Sequence, residues 1–110
     1  MKAALVLGEV CQDIIVHEPR SVKVLGQPVW AGDVLTVTGG SAAFVSMALT
    51  RLGIPVELWS SVGEDEVGTQ LIDELTKRGI DCRFAKRLPG YETTRSVIVC
   101  EQESKSFIGC

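Results

Sequence analysis

The sequence reads as an α/β protein, with strand–helix–strand units that build a parallel sheet and short strands that build a small antiparallel one. Three observations carry this reading. The run Ala3-Ala4-Leu5-Val6-Leu7-Gly8 is continuous, apolar and short, as expected of a strand covered on both faces. Two helix-length segments, each stopped by a glycine (Gly53 and Gly79), are separated by a strand-like run. The last third turns β-branched, with Ser96-Val97-Ile98-Val99-Cys100 as its clearest strand.

After the first strand, Glu9 to Asp13 are expected to leave the sheet and Ile14-Ile15-Val16 to resume an extended pattern. From Glu18 to Thr38 there is no helical period. Val22, Val24 and then Val34, Leu35 and Val37 read as short strands, parted by turn signals at Gly26-Gln27-Pro28 and Ala31-Gly32-Asp33. The first helix is expected from Ser41, a helix-capping residue type, to Leu52. It is apolar on nearly every side, which predicts burial. Ile54 to Val62 reads as one strand. Gly63-Glu64-Asp65-Glu66 opens the second helix with acids suited to a helix N-terminus, and Val67, Leu71, Ile72 and Leu75 form its apolar face. Lys77-Arg78 sit in its last turn. Ile80 to Ala85 is a strand candidate, Leu88-Pro89-Gly90 a turn, and Ser96–Cys100 with Lys105–Cys110 a hairpin. The last apolar strand has no helix after it to cover the sheet, so the chain is expected to be the N-terminal part of a larger domain.

Composition narrows the function. Of 110 residues, 45% are hydrophobic and 23% charged, an ordinary globular balance for one domain at most. The net charge of −3 offers no basic patch for nucleic acid. There is no secretory leader and no run of transmembrane length, so no membrane partner is expected and a cytoplasmic location is. Cys11, Cys82, Cys100 and Cys110 form no C-x-x-C pair, and His17 is the sole histidine. Free buried thiols and no metal site follow. The turn after the first strand, Gly8-Glu9-Val10-Cys11-Gln12-Asp13, lacks the G-x-G-x-x-G pattern of dinucleotide-binding domains.

The segment Gly39-Gly40-Ser41-Ala42-Ala43 carries the most chemistry. A glycine pair ends a strand and a helix follows at once. With no Cβ, backbone can lie close to a ligand, and the helix aims its first N–H groups at the same place. A tight strand-to-helix turn with no ligand accounts for these residues equally well.

Four segments together resemble the PfkB/ribokinase family of carbohydrate and nucleoside kinases: Gly8-Glu9-Val10-Cys11-Gln12-Asp13, Gly39-Gly40-Ser41-Ala42-Ala43 with its helix to Gly53, Ser61-Val62-Gly63-Glu64-Asp65-Glu66-Val67-Gly68, and Lys77-Arg78-Gly79-Ile80-Asp81. They occur in the family's order and cover essentially the whole chain. The resemblance implies a ribokinase-like fold: the N-terminal part of a doubly wound α/β sheet plus a small β lid. The 110 residues would be an incomplete domain, with lid strands at about 16–37 and 80–110 and core elements at about 3–13 and 39–79. Substrate would sit between lid and core, and the lids would pair in a homodimer. The implied reaction moves the γ-phosphoryl group of ATP, with Mg2+, to a hydroxymethyl group of a small-molecule sugar or nucleoside.

Carried over residue by residue, the resemblance makes Asp13 the carboxylate that accepts hydrogen bonds from sugar hydroxyls. Gly39 and Gly40 become the pair lying against substrate, and Ser41 a polar contact that also suits a helix cap. Thr94 or Arg95 matches a lid position. Phe44 stands where ribose-binding members carry asparagine, and Cys11 where they carry another. Both changes remove hydrogen-bonding capacity. Phe44 either stacks on a sugar ring or nucleobase or fills the core. The family's Gly-Ala-Gly-Asp-type anion hole and catalytic aspartate have no counterpart here, nor does a P-loop. No catalytic residue and no ATP- or Mg2+-binding motif is therefore assigned in this chain, which alone is expected to be inactive. A nucleoside kinase, or a non-catalytic sugar-binding or dimerisation module, are the alternatives.

Overall fold

The computed structural model describes residues 2–17 and 26–110. The expected strands at Val22 and Val24 lie outside the described residues. The elements run in the order β1 (Ala4–Leu7), β2 (Cys11–His17), β3 (Asp33–Gly39), α1 (Ser41–Arg51), β4 (Val56–Trp59), β5 (Ser61–Gly63), α2 (Glu66–Lys77), β6 (Lys86–Leu88), β7 (Arg95–Cys100) and β8 (Lys105–Gly109). They fall into two compact units. The first holds the residues up to Gln12 with Thr38–Thr94, and the second holds Asp13–Val37 with Arg95–Cys110.

The first unit is the α/β layer. β1 pairs in parallel with β4, from Ala4 opposite Val56 to Leu7 opposite Trp59. β5 pairs in parallel with β6, and α2 is the crossover between them. Val6, Val56, Leu58 and Val62 from the strands meet Ala42 and Ala43 of α1, Leu71 and Leu75 of α2, and Ile80 in one buried cluster. Both helices stop in the same way. Gly53 and Gly79 take positive φ, at 79° and 87°. The N–H groups of Ile54 and Ile80 then reach back to the carbonyls of Leu49 and Leu75, closing the last turn.

The second unit contributes to a four-stranded sheet in the order β3-β2-β7-β8. β7 and β8 are antiparallel, with Val97 opposite Ile108 and Ile98 opposite Phe107, and the Glu101 N–H closes the turn on the Ser104 carbonyl. Among its described residues there is no helix.

The structure corrects five local expectations. β1 is covered on one face only: Val6 is buried, while Leu5 is 63% and Leu7 78% exposed, because both described helices belong to the Val6 side's core cluster. Asp13 lies inside β2 rather than in a loop before it. The strand expected at 54–62 is broken at Ser60 into β4 and β5. The strand expected at 80–85 shrinks to a single bridge between Glu57 and Asp81, and the true strand follows at Lys86–Leu88. Ile80 is apolar because it plugs the core just past α2. The four cysteines are free, but only Cys11 is buried, and Cys110 is exposed. Among the described residues, no helix is long and apolar enough to cross a membrane.

Candidate functional site

The glycine-pair turn is built by backbone packing. Gly40 caps α1 with φ 98°, and a Cβ on it would stand 2.4 Å from the carbonyl oxygen of Glu9. No side chain fits there, and an L-residue is strained at that φ. The same Glu9 carbonyl accepts the N–H of Ala42 at 3.1 Å. One of the helix's first donors is thus already satisfied, and the turn is clamped onto the β1–β2 loop. The cap is therefore Gly40, with no side-chain hydrogen bond, and Ser41 is the first helical residue with its side chain exposed. The expectation of a Ser41 cap does not hold.

Four of the five expected substrate-side residues come together at this turn: Gly39, buried at the end of β3, then Gly40, Ser41 and Phe44. Phe44 is 53% exposed, so the core-filling reading fails for it. The expectation of a buried α1 fails with it. Only Ala42, Ala43 and Ser46 are buried on this helix, while Val45 and Leu52 stand 49% and 75% exposed. Asp13 belongs to the second unit, buried at 9% exposure in β2. An open cleft of about 360 Å3 adjoins the turn. It is lined by Leu7, Gly8, Trp59, Ser60, Ser61, Phe84 and Lys86. Gly8 links the two, since a Cβ built on it would lie 3.7 Å from Ser41 Oγ. One wall of the cleft is the stacked pair Trp59–Phe84, with ring centroids 5.0 Å apart.

Two further polar clusters in the first unit were not legible in the sequence. Asp65 caps α2 by accepting the Gly68 N–H at 2.8 Å, and it also accepts the Thr93 N–H at 2.8 Å and the Thr93 hydroxyl at 2.6 Å. Thr93 Oγ1 in turn accepts the Gly63 N–H. The Thr93 hydroxyl, foremost, and then the two backbone donors pull the Asp65 carboxyl down to a pKa of about 2. Gly63 and Gly68 leave room for this knot: a Cβ on either would come within 2.5 Å of a carbonyl oxygen, that of Tyr91 or of Gly63. The Gly-Glu-Asp-x-x-Gly segment is thereby a structural tie between the start of α2 and the loop at Thr93. In the second cluster, buried Thr38 donates its hydroxyl to Glu74 Oε2 at 2.5 Å, and Arg78 pairs with Glu74 Oε1 at 3.1 Å. The Thr38 hydroxyl is the main cause holding the Glu74 carboxyl below its usual range. Both ties span dozens of residues. Thr93 stands beside Thr94 and Arg95, the residues that match a lid position in the sequence, and only that neighbourhood points to it.

Among the described residues, no three His, Cys, Asp or Glu side chains gather as ligands for a metal ion.

Comparison with known proteins gives the family. The profile of pfkB family carbohydrate kinases matches residues 1–109. Ribokinase of Bacillus subtilis is 27% identical over 108 residues, which are 98% of this chain and 36% of that protein. Ribokinase of Cryptococcus neoformans, solved with ADP, superposes with TM-score 0.81 at 26% identity, over 100% of this chain and 35% of that one. A sugar kinase of Pyrococcus horikoshii, solved with ATP, superposes with TM-score 0.82 at 28% identity, over 96% of this chain and 33% of that one. The chain thus spans about a third of the length of these relatives, with their ribokinase-like fold. With a match from end to end and a shared fold, the chain belongs to the pfkB family of carbohydrate kinases.

Proposed function

We propose that this chain is the substrate-holding and lid portion of an ATP-dependent kinase that phosphorylates a hydroxymethyl group of a sugar. The observation that carries the reading is the turn at Gly39-Gly40, fixed on Glu9, with Ser41 and Phe44 exposed beside it, in a chain of this family. In this reading the backbone of Gly39 and Gly40 lies against the sugar. Ser41 offers it a hydroxyl, and Phe44 offers a ring face in place of an amide. Asp13 accepts hydrogen bonds from sugar hydroxyls, a charge-assisted contact stronger than a neutral one. The second unit, including β7 and β8, acts as the lid and as the surface on which two copies pair. ATP and Mg2+ serve the whole protein. In this reading neither the base for the hydroxyl proton nor the anion hole is assigned to this chain, whose part is to bind and orient, and which alone transfers nothing.

The test is phosphoryl transfer from ATP by the natural-length protein, across a panel of pentoses, hexoses and nucleosides. Turnover of a sugar is expected. Asp13→Asn should raise KM by roughly tenfold or more with a smaller change in kcat. Turnover of nucleosides alone would replace the sugar reading with the nucleoside kinase. Calorimetric binding of a sugar with no turnover would leave a non-catalytic binding module.

A further inference from the structure

We infer that Glu74 is a positioning residue for the glycine-pair turn, acting through Thr38. The inference rests on the reading of that turn as substrate-facing. Thr38 immediately precedes Gly39-Gly40 and is 6% exposed, so its hydroxyl needs a partner inside the protein. Its partner is Glu74 Oε2, 36 residues on in α2. A hydrogen bond to a carboxylate is about twice as strong as one between neutral groups. Arg78, one helical turn further along, takes the other oxygen of Glu74 and fixes the carboxylate's orientation.

The turn is held from two directions. On one side Glu9 receives the Ala42 N–H and leaves no room for a Cβ on Gly40. On the other, Glu74 ties the last strand residue before the glycines to a helix. The glycines themselves have no side chains with which to hold a place. Their backbone is only as fixed as what flanks it, and a displacement of about 1 Å at a substrate contact is costly. α2 is itself secured at its other end, where Asp65 ties it to Thr93. The helix is thus a rigid base reaching from the Gly-Glu-Asp-x-x-Gly segment to the glycine turn.

The experiment uses the natural-length protein, four single variants, Thr38→Val, Thr38→Ser, Glu74→Ala and Glu74→Gln, and the Thr38→Val/Glu74→Ala double variant. Hydrogen–deuterium exchange is read at the amides of Ala42 and Phe44, which report the turn through their bonds to Glu9 and Gly40. Sugar kinetics are read beside it. Thr38→Val and Glu74→Ala should speed exchange at these two amides by roughly fivefold or more and raise KM by about as much, with kcat within roughly twofold. Thr38→Ser and Glu74→Gln keep a donor and an acceptor and should restore both readouts. The Thr38→Val/Glu74→Ala double variant should be no worse than either single one, as expected of one shared contact. Wild-type exchange at Ala42 and Phe44 in folded Thr38→Val, or additive effects in the double variant, would overturn the inference. If Thr38→Val does not fold, Glu74→Ala, altered on a half-exposed side chain, decides in its place. If the wild-type protein phosphorylates no sugar, the kinase reading fails on that result, while exchange still decides whether Glu74 holds the turn.

Discussion

At the scale of single residues, the acids that look interchangeable along the sequence do different work. Asp65 receives three hydrogen bonds and is held at a pKa of about 2, against an ordinary value of 3.8. The consequence for stability has a definite sign. The unfolded chain takes up the proton near pH 4, whereas the folded chain refuses it until about pH 2. The stabilisation is therefore fully present above pH 4 and is lost as the pH falls through 2. Glu74, depressed by the Thr38 hydroxyl, adds to the same trend. The urea midpoint of the wild-type protein should thus fall more steeply between pH 4 and 2 than that of Asp65→Asn, which lacks the linkage. Equal slopes would show that Asp65 is not the titrating tie. The sequence identified Asp65 correctly as an opening acid of a helix, since that signal is local. Its bonds to Thr93, 28 residues on, are tertiary, and no spacing rule exposes them. The glycine pair was legible for a related reason: two glycines before a helix demand a backbone explanation. The close neighbour that demands glycine at position 40 is the chain's own Glu9 carbonyl.

At the scale of elements, the two helices show when periodicity is informative. α2 has one apolar stripe, and the stripe is what packs: Leu71 and Leu75 are buried at 3% and 0% exposure. α1 is apolar all round, a pattern that predicts burial on every side. Among the described residues only its small ones, Ala42, Ala43 and Ser46, are fully buried. Small side chains let α1 lie close to the strands, Met47 and Leu49 pack partly against the core, and Phe44 and Val45 face outward. The energetic consequence separates the helices. Leu75→Ala should cost about 3–5 kcal/mol in unfolding free energy, the range for a fully buried leucine whose cavity cannot collapse. Val45→Ala, at a site 49% exposed, should cost under about 1 kcal/mol. Denaturant melts of the two variants would test this, and similar losses would show that α1's outer face is packed. Strand positions were read less well than helices. A run such as Ile80–Ala85 carries the residue types of a strand. Its fate was decided by a helix stop at Gly79, an Asp81–Arg83 ion pair and the stacking of Phe84 on Trp59.

At the scale of the whole molecule, the sheet of the second unit poses a question of coverage. Successive residues of a strand point to opposite faces. On β8, Phe107 and Ile108 are neighbours, and they are 69% and 61% exposed. On β3, Val34 and Leu35 are neighbours, at 57% and 43%. Apolar side chains therefore stand out on both faces, paired across the strands as Ile98–Phe107 on one and Val97–Ile108 on the other. An antiparallel sheet with one wet face would alternate polar with apolar. Water is a poor neighbour for both faces at once, at roughly 25 cal/mol for each Å2 of apolar surface. This is the physical content of the proposed pairing of two copies through the lid. The natural-length protein should elute as a dimer in light-scattering chromatography at micromolar concentration. A charge on one face alone should break it: either Ile108→Asp or Phe107→Asp, and only one of them, should yield a folded monomer, because a second copy can cover a single face. A wild-type monomer at all concentrations would remove the pairing. Dissociation by both substitutions to the same degree would mean that the partner copy meets the sheet at its β8 edge and not on a face.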